Sequence, residues 1–234
     1  MHLLPLALYA AAAAAYAVHF TRRDPRSGRL ATAALGAGVL AHTFVIGMQT
    51  MQAGNAPLVG TTAAVSAFVW LLGLSYLYVE LTTDERSMGA FVTMLLALLA
   101  IIPALDPTIS PRPPLLQSPL FTVHVISVLF AYASFALAFV LGLTYVLLFK
   151  EIKAKQLGFF YARLPSLQVL DKMNGRAITV GWICLTFGVA VGGIWASLTL
   201  HVRDAGRARS HSGAAHGLAS RAVCSTEGMA RAAS

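Results

Sequence analysis

Residues 119–149 read PLFTVHVISVLFAYASFALAFVLGLTYVLLF, a run without a single lysine, arginine, aspartate or glutamate. A hydrocarbon core about 30 Å thick is crossed by roughly 20 apolar residues rising about 1.5 Å each, so this run spells a membrane-spanning helix with length to spare. The surplus is taken up by tilting or by extending past the membrane surface. Outward from it, similar apolar runs lie near 2–20, 30–50, 61–81, 88–103 and 177–199. The expected fold is therefore all-α, a polytopic transmembrane bundle of about six helices. The composition agrees, with 57% hydrophobic and 11% charged residues, against roughly 25% charged in soluble domains.

The net charge of +8 raises nucleic acid as a partner, and the placement of the bases argues against it. Lysine and arginine gather between the apolar runs, and no stretch interleaves them with aromatics along one soluble face. Arg22, Arg23, Arg26 and Arg29 follow the first run instead of preceding it, so that run reads as a retained span and not as a secretory signal. The positive-inside rule then puts the N-terminus outside. On that alternation the inner connections carry those four arginines, then Arg86, then Lys150, Lys153, Lys155, Arg163, Lys172 and Arg176, while the outer ones carry only Arg112.

Of the outer connections, one contains Gly54-Asn55-Ala56-Pro57 and the next, 104–118, holds Pro107, Pro111, Pro113 and Pro114; both predict turns or stiff extended segments. The large inner connection, 150–176, mixes bases with Phe159, Phe160 and Tyr161, which suits either an amphipathic segment on an anionic leaflet or a solvated loop. After Leu200 the chain turns to Arg, Ser, Ala, Gly and His, too polar to bury a core. The domains expected are a transmembrane part, 1–200, and a disordered basic tail, 201–234.

Ionisable groups inside the spans are few. Glu80 lies at an inner helix end, where it is expected to reach water. His42 and His124 lie within spans, and an ionisable side chain there is costly enough to mark a functional site facing the bundle interior. Counted from the nearest helix ends, they sit roughly 12 Å and 7–8 Å below the outer surface. His124 shares its stripe with Ser127, Ala131, Ser134, Ala138 and Gly142, small residues that allow close helix approach, and His42 shares its stripe with Gly38. Two neutral imidazoles at one depth suit axial coordination of a haem iron. The other reading gives each histidine only a hydrogen bond across a helix interface. Trp195, after Gly192-Gly193, reads as an interfacial anchor beside glycines that admit a flat ligand or another helix. His2, His19, His201, His211 and His216 are expected to have no role. Cys184 and Cys224 have neither CxxC spacing nor a histidine at ligand spacing. No paired carboxylates, activated nucleophile or phosphate-cradling loop suggests an enzyme.

Three stretches carry a family resemblance. Gly54 to Leu58 running into Ser66-Ala67-Phe68-Val69-Trp70, then His124-Val125 with Tyr132-Ala133, then Gly181-Trp182 through Gly193-Ile194-Trp195-Ala196 occur in this order. Together they resemble the cytochrome c assembly protein family, the haem-handling membrane proteins of the CcsA, CcmC and HemX type. The resemblance implies non-covalent b-type haem held by His42 and His124, with Trp195 shielding the pocket. It implies presentation of haem on the outer side of a bacterial inner membrane, and lipid, other assembly proteins and apocytochrome c as partners. Such a protein binds without catalysing a reaction of its own. The runner-up is a small permease or membrane scaffold with structural histidines. The family continues past Trp195 with further helices and another histidine, so the tail is expected to be a shifted reading frame or a degenerate terminus. Translating the gene's other frames tests this, and the idea fails if no hydrophobic helices appear there.

Overall fold

The structure, a computed structural model, describes residues 3–22, 24–54, 56–106, 113, 116–155 and 158–232, with side chains throughout except at 159, 160 and 201–232. Its regular elements are helical: α1 Leu3–Arg22, α2 Pro25–Ala53, α3 Thr61–Thr83, α4 Gly89–Leu105, α5 Pro119–Lys153, α6 Phe159–Arg163 and α7 Leu167–Ala232. Five helices are long and apolar enough to cross a membrane, namely α1, α2, α3, α5 and the Leu167–Leu200 part of α7, and α4 is a shorter apolar helix. The chain is a multi-pass membrane protein. Arg23, Asn55, Arg112 and most of the proline-rich segment (Pro107, Pro111, Pro114), like His2, lie outside the described residues.

Local chemistry sets the helix starts. Asp24 caps α2, its carboxylate accepting from the backbone N–H of Arg26 and Ser27 with Pro25 in the first helical position, so α2 begins before the expected residue 30. Ser118 and Pro119 repeat the device at α5. α7 also starts early, at Leu167 and not near 177, because Ser166 takes the N–H of Val169 and because Leu170, Met173 and Ala177 bury one stripe. Lys172 and Arg176 therefore stand on a helix, and the α5–α7 connection shrinks to the segment around α6.

The chain divides into two compact units, 1–191 and 192–234, at a boundary inside α7. In the first, α1 packs on α2 and α4, and α3 packs on α2, α4 and α5. Its core is led by Tyr9, Tyr16, Leu35, Leu72, Tyr76, Leu96, Leu137 and Leu141. In lipid no hydrophobic force pulls helices together, so close fit must do so. Here aromatic rings lie on glycine backbone: a Cβ at Gly38 would stand 3.0 Å from the Tyr9 ring, and one at Gly89 would overlap the Tyr16 ring. In the second unit the hydroxyls of Ser197 and Thr199 donate to the carbonyls of Ile194 and Trp195. Backbone helix continues to Ala232, and the side chains of the basic tail, including His201, His211 and His216, lie outside the described residues.

Glu80 departs from expectation. It does not reach water: it is 1% exposed, accepting from the Tyr16 hydroxyl and the Thr32 hydroxyl, each at 2.5 Å, with Arg86 Nε 3.9 Å away. A carboxylate at a helix end could have been solvated, but α1 and α2 close over this one.

Candidate functional site

His42 stands where α1, α2 and α3 meet and is 2% exposed. Its Nδ1 is 3.2 Å from the Tyr9 hydroxyl and its Nε2 is 2.9 Å from Ser66 Oγ. The Tyr9 ring meets the imidazole edge-on, with centroids 5.9 Å apart. Gly38, on the expected stripe, makes room for that tyrosine. The imidazole faces the bundle interior, as its stripe predicted, and both of its nitrogens have protein partners.

His124 stands where α5 meets α7 and is half-buried. Its Nδ1 donates to the Gly188 carbonyl at 2.7 Å. A carbonyl can only accept, so the proton is on Nδ1 and a neutral ring keeps its lone pair on Nε2. The contact depends on glycine: a Cβ at residue 188 would stand 2.9 Å from Val128 Cγ2 and 3.2 Å from the Val128 backbone nitrogen. Along the same stripe Ala131, Ser134 and Ala138 are buried, and Ser134 meets Ser75 of α3 at 3.0 Å.

The two histidines thus belong to different helix junctions. What joins their neighbourhoods is a small cavity of about 30 Å³, lined among others by Pro57, Leu58, Ser66, Trp70 and Ile126. It backs onto the hydroxyl that holds His42 and onto the helix that carries His124. Trp70 fixes one wall, its indole N–H donating to Thr43 Oγ1 at 2.8 Å. The α2–α3 connection beside the cavity begins at Gly54, which ends α2 at φ 68°, a conformation glycine adopts without strain. Trp195 is partly buried in the second unit.

An iron-ligating histidine usually donates its other N–H to a carbonyl or carboxylate, which fixes tautomer and ring orientation. His124 fits that pattern as it stands. His42 instead meets a hydroxyl at each nitrogen, Tyr9 at Nδ1 and Ser66 at Nε2, and each hydroxyl can either donate or accept. Among the described residues no group of three or more His, Cys, Asp or Glu side chains could hold a metal ion by itself. Tyr9, Ser66 and Gly188 were not singled out as site residues in the sequence, although Ser66 lies in a quoted motif. Beyond Tyr9 recurring at Tyr16 in an alanine-rich run, nothing local marks them.

Residues 6–201 match the profile of a family described as cytochrome C assembly protein. Among curated proteins, the chain is similar to the cytochrome c biogenesis protein CcsA of Trieres chinensis, 26% identical over 66% of this chain and 60% of that protein. It is similar to Protein HemX of Brevibacillus brevis, 25% identical over 84% and 73% of the two chains. Protein HemX of Bacillus subtilis is 22% identical over 83% and 72%. The chain thus spans about 60% of the length of the CcsA relative. No solved structure matches it significantly.

Proposed function

We propose, from the premise that this chain belongs to the cytochrome c assembly protein family, that it serves cytochrome c biogenesis by binding haem within the membrane and presenting it on the outer side. The observation that carries the reading is the His124 Nδ1 bond to the Gly188 carbonyl, which leaves Nε2 as the lone-pair nitrogen. Bound haem would supply an iron that imidazole nitrogens can ligate. His124 is the ligand oriented for that task, His42 the second candidate, and Trp195 the proposed shield. The HemX relatives from Brevibacillus brevis and Bacillus subtilis support a bacterial inner membrane. The arginines before and within the start of α2 support an N-terminus outside. Apocytochrome c and other assembly proteins are the proposed partners, and the proposed haem is b-type and non-covalent.

Purified in detergent, the protein is expected to show a Soret band that His124→Ala removes for the most part. An unchanged spectrum in that variant sinks the ligand assignment. Gly188→Val is expected to weaken haem binding about tenfold, because the added branches force α7 off α5 and leave the imidazole unoriented; haemin titration measures it. The alternative is a small permease or scaffold whose histidines only join helices. It draws on the two hydrogen bonds of His42 and predicts no bound pigment in any variant.

A further inference from the structure

We infer that Lys172 and Arg176, in the first turns of α7, form with the groove that follows on the same side of that helix a site for one anionic phospholipid of the leaflet at which α7 begins. The phosphate sits on the bases and an acyl chain lies in the groove. Arg176 is half-buried, and its Nη1 is buried without a hydrogen-bond partner among the described residues. A guanidinium carries five N–H donors and keeps its charge, so a nitrogen withdrawn from water and left unbonded costs free energy until an acceptor arrives. No described side chain supplies one. A phosphate matches the guanidinium fork with two parallel hydrogen bonds, and it approaches from the open side of the half-buried side chain. Lys172, about one turn nearer the start of the helix, is exposed and adds a second positive charge.

Further along the same side, α7 turns apolar. Residues 172, 176, 183, 187 and 190 follow one another at steps of 4, 7, 4 and 3, which keeps them on one stripe of a helix. Trp182, Ile183, Thr186, Phe187 and Ala190 line an open groove of about 420 Å³ there. The Thr186 hydroxyl donates to the Trp182 carbonyl at 2.9 Å, so the one donor on the groove floor is already used. The stripe faces away from α5, because Gly181 and Gly188, on the other side of α7, lie against Phe135 and Val128. At 1.5 Å per residue the groove runs from about 9 Å to about 21 Å beyond Arg176. That length suits the roughly 15 Å of hydrocarbon in one leaflet. An apolar groove alone would take any acyl chain, and a surface base alone any anion. In line at this spacing they select an amphiphile with a negative head. The described groove residues include no histidine to hold an iron, which favours a lipid over a haem.

The test places the full chain in phosphatidylcholine vesicles carrying lipid brominated on its acyl chains, with tryptophan fluorescence as the readout. Bromine quenches an indole on contact, and the Trp182 component is isolated as the difference between the unaltered chain and Trp182→Phe. Brominated phosphatidylglycerol is expected to associate with that component about fivefold more strongly than brominated phosphatidylcholine. Arg176→Gln should bring the ratio to about one. Arg176→Lys, which keeps the charge and loses the fork, should fall between, and it serves if the glutamine variant does not fold. Lys172→Gln is expected to lower the ratio less than Arg176→Gln does, and Arg26→Gln, on α2, to leave it unchanged. Equal quenching of Trp182 by the two lipids in the unaltered chain overturns the site and leaves ordinary lipid solvation of α7. A preference for phosphatidylglycerol that persists undiminished in the Arg176 variants overturns it as well. Haemin that relieves the quenching in the unaltered chain but not in Arg176→Gln would put a carboxylated macrocycle in the groove and overturn the lipid assignment.

Discussion

Glu80→Ala is expected to lower the stability of the folded bundle by about 3 kcal/mol, measured as unfolding in mixed micelles. The carboxylate accepts the hydroxyl hydrogens of Tyr16 and Thr32 at 2.5 Å and is 1% exposed. Thr32 has a second acceptor in the Gly28 carbonyl at 3.1 Å and is not orphaned. Tyr16 keeps the neighbouring Thr32 hydroxyl, a weaker acceptor than the carboxylate. A buried hydroxyl left without an acceptor costs roughly 1–3 kcal/mol, and the vacated volume adds a cavity cost of similar size. The Tyr76 hydroxyl, also buried and beside Glu80, would then border the hole. Arg86 sets a ceiling on the loss, because Asp84 at 3.0 Å continues to neutralise it near the surface. Glu80→Gln keeps a carbonyl acceptor and should lose about half as much. Equal stability in Glu80→Ala and the unaltered chain would mean that the carboxylate does not hold α1 and α2 to α3.

Gly89→Ala is expected to be comparably damaging, although it adds one methyl group. The new carbon would fall 2.2 Å from Cδ1 and 2.3 Å from Cε1 of Tyr16. Ordinarily a side chain yields to such an intrusion. This ring cannot: it is fully buried, packs edge-on against Tyr76 with centroids 6.1 Å apart, and is tied through its hydroxyl to Glu80. The helices must part instead, and overpacking of this kind costs about 1–3 kcal/mol or more. Because both substitutions act through Tyr16, their effects should not add. In a Tyr16→Ala background Gly89→Ala is expected to be nearly neutral, and a double-mutant cycle on unfolding free energy would register that coupling. Strict additivity would place the strain elsewhere.

The apolar runs were legible because each helix satisfies its own backbone hydrogen bonds, so its existence depends on a local stretch of chain. Asp24-Pro25 and Ser118-Pro119 were equally local, and they set the starts of α2 and α5. Neither cap is part of the sequence reading, which nonetheless starts α5 at 119, where the apolar run itself begins, and starts α2 late because the charges before residue 30 read as loop. Glu80 was misjudged for a different reason: proximity to a helix end suggested water, and only the packing of α1 and α2 over that end closed it. The inward facing of His42 and His124 was readable from their stripes of small residues. What touches each ring was not, since Tyr9, Ser66 and Gly188 lie far from them along the chain.

By itself the sequence determined that this is a membrane chain, roughly where it crosses, and which two imidazoles face inward. Those properties come from residue polarity repeated over one helix, a short-range pattern that a lipid solvent enforces by leaving no backbone group unpaired. Tertiary structure alone decided that His42 is bonded at both nitrogens, that His124 donates to a bare carbonyl, and that Glu80 is sealed from water. Each of these depends on a partner brought from another helix, 24 to 64 residues away, and on how closely glycine lets two backbones approach.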